Sequence, residues 1–126
     1  IGIMLDNSRR LRLLIAEDID DNFLLISALL KNDNFDLIRA KDGAQVVDIA
    51  RQKNCDIIFM DLKMPVYSGI EATKMIRMFD RNVPIIAVTA FDYGQIRDEA
   101  LEIGCNDFLY KPYNINVLRA VINKFS

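Results

Sequence analysis

The sequence of 126 residues contains no histidine, only two cysteines and no apolar run long enough to cross a membrane. Without histidine, the chain lacks the most common ligand for transition metals and the most common general base of enzymes. Cys55 and Cys105 match neither a disulfide framework nor a zinc site in number or spacing, so we expect two reduced core residues. The longest apolar stretch, residues 83–91, contains Thr89 and is far shorter than the roughly 18 residues of a membrane span. We therefore expect a soluble domain without membrane insertion.

An excess of positive charge is also lacking, since the formal net charge is −2. Such a chain lacks the excess positive charge that attracts the phosphate backbone of nucleic acids, which disfavours direct nucleic-acid binding. The hydrophobic share of 52% and the charged share of 27% are typical of a folded globular protein, and the length suits one domain. Residues 1–10 show no signal-peptide pattern and are interpreted as an extension or linker ahead of a domain at 11–126. Because the chain starts at isoleucine, we expect it to be a segment of a longer protein.

Five short apolar runs alternate with stretches of helical periodicity. This alternation predicts a parallel sheet covered on both faces, because parallel strands are usually joined by helical crossovers. Right-handed crossovers then produce a doubly wound α/β sheet with a ligand crevice at the carboxyl ends of its strands. Asp36 and Arg39 in the second run are typical of an edge strand. The predicted strands are residues 11–16, 35–40, 56–60, 84–88 and 107–110.

Each predicted helix begins at a residue whose side chain can cap it. The helices extend to about residues 31, 53, 79, 103 and 125, and Gly104 is suited to a left-handed C-cap after the fourth helix. The proposed N-caps are Asp20 or Asp21, Asp42, Ser68, Asp92 and Asn114.

Polar residues lie at the carboxyl ends of four predicted strands. Glu17 and Asp18 follow the first run, Asp61 the third, Thr89 the fourth and Lys111 the fifth, so all meet at one rim of the sheet. Three neighbouring carboxylates repel one another unless a cation offsets the repulsion, and an all-oxygen set favours Mg²⁺ or Mn²⁺ over zinc. An Asp61 oxygen can then attack a phosphoryl group, while Lys111 neutralises phosphate charge and Thr89 donates a hydrogen bond.

Each of these residues alone also has an ordinary structural interpretation. A single aspartate at a strand end is more often a helix cap or a turn former, and a single lysine is more often a solvated charge. Glu17 and Asp18 can be a simple charge pair at a helix N-terminus. Their joint occurrence on different strands and on one rim favours a functional site.

The segments that carry this chemistry resemble the receiver domain of two-component response regulators, from about residue 11 to residue 125. The resemblance implies a flavodoxin-like fold with strand order 2-1-3-4-5. It also implies that Asp61 is the phosphoacceptor and that Lys111 and Thr89 hold the phosphoryl group. The matching segments are IAEDIDDN at 15–22, FMDLKMP at 59–65 followed by Gly69, AVTA at 87–90 and YKP at 110–112.

Further features of the site follow from the same resemblance. It implies a Mg²⁺ site, in which Mn²⁺ can substitute, formed by Glu17, Asp18, Asp61 and the backbone carbonyl of Lys63. Phe108 corresponds to the switch aromatic that moves inward when Thr89 is drawn to the phosphate. The Lys111–Pro112 peptide bond is expected to be cis.

The amino-acid sequences of two segments are most similar to those of receivers attached to hybrid sensor histidine kinases. These segments are MDLKMPVYSGIEAT at 60–73 and IIAVTA at 85–90. The resemblance implies a phosphohistidine donor on a histidine kinase or a histidine phosphotransfer domain, since this chain has no histidine of its own. We expect a cytoplasmic C-terminal receiver of a kinase that can itself be membrane-anchored. A free-standing single-domain regulator is the alternative.

Two surfaces are candidates for partner contacts. The face of the fourth helix, fifth strand and last helix is expected to expose Tyr93, Arg97, Tyr110 and Arg119, and a dimer could form through it. A phosphotransfer partner is expected to dock over the first helix near Asn22, Phe23 and Ile26, although apolar residues there are more often core.

Lys63 and Phe91 flank the predicted phosphoryl site, two residues after Asp61 and Thr89 respectively. We hypothesise that their bulk slows hydrolysis of the aspartyl phosphate by crowding the attacking water. The alternative is that both side chains point to solvent. An unchanged dephosphorylation rate in a Lys63→Asn, Phe91→Ala double variant would exclude the hypothesis.

Three other protein classes share parts of this pattern. A haloacid-dehalogenase-type phosphatase also uses aspartate, threonine, lysine and Mg²⁺, but it places a second aspartate two residues after the nucleophile, where this chain has Lys63. A pseudo-receiver that only binds partners would not need the intact set of site residues. A small nucleotide or flavin binder would need a glycine-rich loop after the first strand, and none is present.

Overall fold

The computed structural model describes residues 10–31, 33–90 and 94–126. Within these ranges five strands alternate with five helices. The strands are β1 (Leu11–Ala16), β2 (Phe35–Ala40), β3 (Ile57–Asp61), β4 (Ile85–Thr89) and β5 (Asp107–Tyr110). The helices are α1 (Asp20–Leu30), α2 (Gly43–Arg51), α3 (Gly69–Arg77), α4 (Gly94–Ile103) and α5 (Ile115–Phe125).

The five strands form one parallel sheet in the order β2-β1-β3-β4-β5. This confirms the predicted doubly wound fold and the edge position of β2. The order reverses between β1 and β3, and such a switch point opens a crevice at the carboxyl ends of the strands. Ala16 pairs with Met60, Asp61 with Val88 and Thr89 with Tyr110, so the ends of β1, β3, β4 and β5 meet at one rim.

Alternate residues of each central strand enter different core layers, because successive side chains point to opposite faces of a sheet. In β3, Ile58 and Met60 pack on the face covered by α2, α3 and α4. Ile57 and Phe59 pack on the face covered by α1 and α5. All five residues of β3 and of β4 are buried, which explains their continuous apolar runs.

Both cysteines are free thiols, as predicted from their spacing. Cys105 is buried in the core, and Cys55 is half-buried and packs against the same layer. Burial raises the pKa of Cys55 to about 11, so this thiol stays protonated at neutral pH.

Three of the predicted N-caps are confirmed. The side chains of Asp42 and Asn114 accept hydrogen bonds from backbone N–H groups of α2 and α5. Ser68 and Glu71 form a reciprocal capping box at the start of α3. Gly104 has a φ of +118°, which confirms the left-handed turn after α4. Asp92 lies outside the described residues.

The predicted cap of α1 is wrong. The N-cap is Ile19, which makes no side-chain cap hydrogen bond, and Asp20 and Asp21 lie inside the first turn. The Asp20 carboxylate is instead bound to Arg39 of β2, whose Nη1 lies 2.7 Å away. A contact between distant strands and helices therefore overrides the local capping preference. Helices α2 and α3 also end two residues earlier than predicted, at Arg51 and Arg77.

Candidate functional site

Three carboxylates meet where β1 and β3 end. Oxygens of Glu17, Asp18 and Asp61 lie within 4.8 Å of one another. Glu17 is held from two sides, because its backbone N–H donates to the Ala40 carbonyl at 3.0 Å and its Oε2 accepts from the Ile19 N–H at 3.3 Å. Glu17 is buried and Asp18 is exposed, so the cluster is open to solvent on one side.

Asp61 ends β3 and is 8% exposed. Its Oδ1 accepts a hydrogen bond from the Lys63 N–H at 2.9 Å, and its Oδ2 accepts one from Lys111 Nζ at 3.0 Å. The chain after Asp61 stays close to the rim, since the Gly69 N–H donates to the Leu62 carbonyl at 3.0 Å. A side chain on Gly69 would lie within 2.7 Å of the Leu62 Cα, so only glycine fits this close approach.

Lys111 links two of the three carboxylates. Its Nζ lies 3.0 Å from Glu17 Oε1 and 3.0 Å from Asp61 Oδ2. Burial alone would lower the pKa of Lys111, but the hydrogen bonds and negative charges of Asp61 and Glu17 outweigh it and raise the pKa above the usual 10.5. Lys111 is therefore a cation at neutral pH. The Lys111–Pro112 peptide bond is cis, as the resemblance implies, and the Lys111 N–H donates to the Thr89 carbonyl at 2.8 Å.

A cleft of about 580 Å³ lies at this rim of the sheet. Asp18, Asp61, Lys63, Thr89 and Lys111 all line it, and Thr89 itself is 7% exposed. The formal charges of three carboxylates and one ammonium leave a balance of −2, which matches a divalent cation. Because all the acidic donors are oxygens, the site fits a hard cation of the Mg²⁺ class.

The model of the response regulator receiver domain matches residues 13–123. The chain belongs to this family. The match covers β2 to β5 in full, most of β1 and most of α5.

Two curated relatives represent different protein contexts for such a receiver. Hybrid signal transduction histidine kinase I of Dictyostelium discoideum is 41% identical over 133 aligned positions, which cover 97% of this chain and 8% of the kinase. The polar-differentiation response regulator DivK of Brucella anthropi is 34% identical over 104 positions, which cover 81% of this chain and 85% of DivK. The chain thus spans a small part of the first relative and most of the second.

Two solved receiver structures bear directly on the site. The receiver domain of the Pseudomonas aeruginosa sensor histidine kinase PA1611 has a magnesium ion coordinated in its active site cleft. It is 34% identical with a TM-score of 0.85, and the match covers 93% of this chain and 98% of that one. The receiver domain of Saccharomyces cerevisiae Ssk1, solved with the phosphotransfer protein Ypd1, is 34% identical with a TM-score of 0.85. That match covers 92% of this chain and 88% of the other.

Phe108 occupies β5 of the receiver three residues before Lys111. Its half-buried ring packs against the core layer under α3 and α4 and stacks on Tyr110 with ring centres 6.1 Å apart. The Arg97 guanidinium of α4 lies 5.9 Å from the centre of the Phe108 ring. Phe108 therefore connects the end of the sheet to the surface of α4.

The face of α4, β5 and α5 differs from the sequence expectation. Arg97 is exposed, but Tyr110 is half-buried and its hydroxyl oxygen is buried. Arg119 is exposed, yet its guanidinium binds both carboxylate oxygens of Asp33, between α1 and β2, at 2.9 Å. Tyr93 lies outside the described residues.

The first helix also presents other residues than those predicted. Ile26 is 6% exposed and belongs to the core, and Phe23 is half-buried. Ile19, Leu24 and Leu25, which lie on or directly before this helix, are 52%, 62% and 60% exposed. The ordinary core interpretation of Ile26 is thus correct.

Of the two residues expected to flank the phosphoryl site, only Lys63 lies within the described residues. Lys63 is exposed and lines the cleft, whereas Phe91 lies outside the described residues. No helix in the described ranges is both long and apolar enough to span a bilayer.

Arg39 is a neighbour of the site that the sequence analysis did not identify. Only the pairing of β2 with β1 places it beside Glu17.

Proposed function

We propose that this receiver domain accepts a phosphoryl group from a phosphohistidine onto Asp61. The observation that carries the proposal is the contact of Lys111 Nζ with both Asp61 and Glu17 at 3.0 Å on an acidic rim. A buried carboxylate with a fixed ammonium beside it can accept a dianionic group that water alone would not stabilise.

In the proposed reaction an Asp61 oxygen attacks phosphorus as the bond from phosphorus to the imidazole nitrogen breaks. The electron pair of the broken bond stays on that nitrogen, and because the other ring nitrogen carries a proton, the imidazole leaves as a neutral ring. Lys111 lies close enough to Asp61 to bind a phosphoryl oxygen, and the Thr89 hydroxyl can donate to another across the same cleft. The Lys63 N–H orients Asp61 through its bond to Oδ1.

The acidic cluster fits Mg²⁺, for which Mn²⁺ can substitute. Glu17, Asp18, Asp61 and the backbone carbonyl of Lys63 would hold the cation. When bound, it would neutralise charge on the phosphoryl oxygens and so lower the barrier to attack. Calcium would fit the same oxygens less well for catalysis, because it prefers more ligands at longer distances.

Thr89 and Phe108 are proposed to couple phosphorylation to a change of surface. Movement of the Thr89 hydroxyl toward the phosphoryl group would open space beside β5, and the Phe108 ring would turn inward to fill it. The loss of the Arg97 contact on Phe108 would then alter the face of α4, through which the phosphorylated receiver could pair with a second copy.

The partner is proposed to be a histidine kinase or a histidine phosphotransfer domain in the cytoplasm. Ile19, directly before α1, and Leu25 of α1 are exposed apolar residues next to the cleft. A second cavity of about 370 Å³ lies between Leu25 and Tyr113 beside Lys111. A helix that carries phosphohistidine could pack on this surface and direct its imidazole at Asp61.

The parent protein is proposed to be a hybrid histidine kinase, with residues 1–10 as a linker and residues 11–126 as its C-terminal receiver. The 41% identity to the Dictyostelium kinase supports this context. A free-standing regulator is the second candidate, and it is supported by the match to DivK over 85% of that protein.

Intact mass spectrometry after incubation with acetyl phosphate tests the phosphoacceptor directly. We expect a gain of one phosphoryl group that requires Mg²⁺ and that is lost in Asp61→Asn. Asp56→Asn is the matched control, because Asp56 lies at the opposite end of β3 and pairs with Arg12. A wild-type protein that gains no phosphoryl mass in any condition would contradict the proposal and favour a pseudo-receiver that only binds partners.

A further inference from the structure

Arg39 of β2 reaches across the connection between β1 and α1. Its Nε donates to the Glu17 carbonyl oxygen at 3.1 Å, and its Nη1 lies 2.7 Å from Asp20 Oδ1. The guanidinium also lies over the Phe23 ring, 4.9 Å from its centre. With 17% of its side chain exposed, Arg39 is largely enclosed by these contacts. One side chain thus joins the edge strand to the backbone of an acidic site residue and to the first turn of α1.

Ala40 and Lys111 also hold Glu17, but the rest of the connection that Arg39 spans has few other restraints within the described residues. Helix α1 has no side-chain cap, so its N-terminus is not fixed in the way that α2, α3 and α5 are. The hydrogen bond from Ile19 to the Glu17 carboxylate is long at 3.3 Å, and a bound cation would compete for that carboxylate. Yet this short connection carries Glu17 and Asp18, two of the three clustered carboxylates.

We propose that Arg39 is a positioning residue for the cation site, which holds residues 17–20 so that Glu17 and Asp18 converge with Asp61. The inference rests on the proposed function only in so far as the site binds Mg²⁺. Groups that orient metal ligands without touching the metal commonly affect affinity strongly. Arginine suits this role because its planar fork can bind a carbonyl and a carboxylate at once, which a lysine ammonium cannot do in the same geometry.

The positioning role and a simple charge effect predict opposite results. Arg39 is a cation near three carboxylates, so its charge alone repels Mg²⁺ and its removal would tighten binding. Loss of positioning would weaken binding, because the free chain would have to order residues 17–20 when the cation arrives. The sign of the change therefore separates the two roles.

Calorimetric titration with Mg²⁺ alone measures this sign. We expect Arg39→Ala to weaken Mg²⁺ binding roughly tenfold, in the range typical of residues that orient metal ligands. In Arg39→Gln, the amide nitrogen takes the chain position of the arginine Nε and can still donate to the Glu17 carbonyl. We therefore expect Arg39→Gln to retain more affinity than Arg39→Ala although both lack the charge.

Arg119→Ala is the matched control, because it removes an arginine that binds a carboxylate, Asp33, through two hydrogen bonds away from the cleft. It should leave the affinity for Mg²⁺ unchanged. Hydrogen exchange of the metal-free protein gives a readout that needs neither cation nor phosphodonor. We expect faster exchange of the amides of residues 17–20 in Arg39→Ala than in the wild type, and no such change in Arg119→Ala.

Unchanged or tighter Mg²⁺ binding by a folded Arg39→Ala protein would overturn the inference. If Arg39→Ala does not fold, Arg39→Gln is compared with the wild type instead. Equal Mg²⁺ affinities and equal amide exchange rates of the two proteins would then overturn the inference. A wild type that binds no Mg²⁺ would remove both this inference and the metal part of the proposed function. A wild type that binds Mg²⁺ without becoming phosphorylated would contradict only the proposed function.

Discussion

Replacement of Lys111 by methionine should show how strongly the acidic rim depends on the ammonium that contacts Glu17 and Asp61. Methionine keeps the apolar stem and removes the charge. Glu17 and Asp61 are 2% and 8% exposed, and each lies 3.0 Å from Lys111 Nζ. The variant therefore leaves two buried carboxylates side by side without their shared cation.

The cost can be bounded from the burial of the three groups. Removal of one partner from a buried ion pair typically costs about 3–5 kcal/mol. Because a quarter of the Lys111 side chain is exposed, water screens part of the interaction, and we expect a loss of about 2–3 kcal/mol. For a domain of this size that loss lowers the Tm by roughly 10 °C.

Urea denaturation at neutral pH in a metal-free buffer gives the free energy of unfolding, and circular dichroism gives the Tm. Saturating Mg²⁺ should stabilise Lys111→Met more than the wild type, because the cation replaces the missing charge. At a Mg²⁺ concentration a hundred times its Kd, the stabilisation is about 2.7 kcal/mol.

The pH dependence follows from the pKa of Lys111, which is raised above 10.5 in the folded protein. A raised pKa means that the lysine's stabilisation is fully present below pH 10.5 and is lost as the pH rises through the folded value. The difference in unfolding free energy between the wild type and Lys111→Met should therefore shrink above pH 10.5. Between neutral pH and pH 10.5 the difference should stay constant, because the lysine remains charged in this range.

Lys124→Met is the matched control, since Lys124 pairs with Asp107 at 3.1 Å but its side chain is 63% exposed. Such a surface pair contributes about 0–1 kcal/mol, so the control should unfold nearly like the wild type. Equal stability of Lys111→Met and Lys124→Met without metal would refute the argument from the buried carboxylates.

Three further variants test the loop after Asp61. Val66 has a φ of +69° although it is β-branched and exposed, so Val66→Asn should stabilise the protein by about 1 kcal/mol in urea denaturation. Gly69→Ala places a methyl group against the Asp61 carbonyl and 2.7 Å from the Leu62 Cα, so it should lower both the Tm and the extent of phosphorylation by acetyl phosphate. Lys63 lines the cleft and is exposed, so Lys63→Asn should speed the loss of the phosphoryl group. Intact mass spectrometry at successive times after removal of the phosphodonor measures this rate.

Each of these variants has a control in the same chain. Val66→Thr keeps the branched Cβ and should show no gain, so an equal gain would exclude backbone strain as the cause. Gly94→Ala should be tolerated, because among the described residues no atom outside its chain neighbours and its own helix backbone would lie within 4 Å of the added Cβ. Lys74→Asn alters an exposed lysine of α3, and a decay rate that changes equally in Lys74→Asn and Lys63→Asn would contradict a local effect on water.

Much of the receiver architecture was predictable from local pattern. The continuous apolar runs of β3 and β4 indicate strands buried on both faces, and both strands are buried throughout. Asp42, Ser68 and Asn114 cap their helices through hydrogen bonds to residues three positions ahead, so the information lies within one turn of sequence.

Local pattern was therefore enough to predict the order of strands and helices, the parallel sheet and the polar residues at its rim, because these depend on neighbours along the chain. The contacts that hold this rim together could be found only in the folded protein. Lys111 binds Glu17 across 94 positions of sequence, and Arg39 reaches Glu17 across 22. A second contact of Arg39 binds Asp20, which does not cap α1, and helix packing buries Ile26 in the core. Such pairings arise from strand order and helix packing, which bring together residues that no local pattern connects.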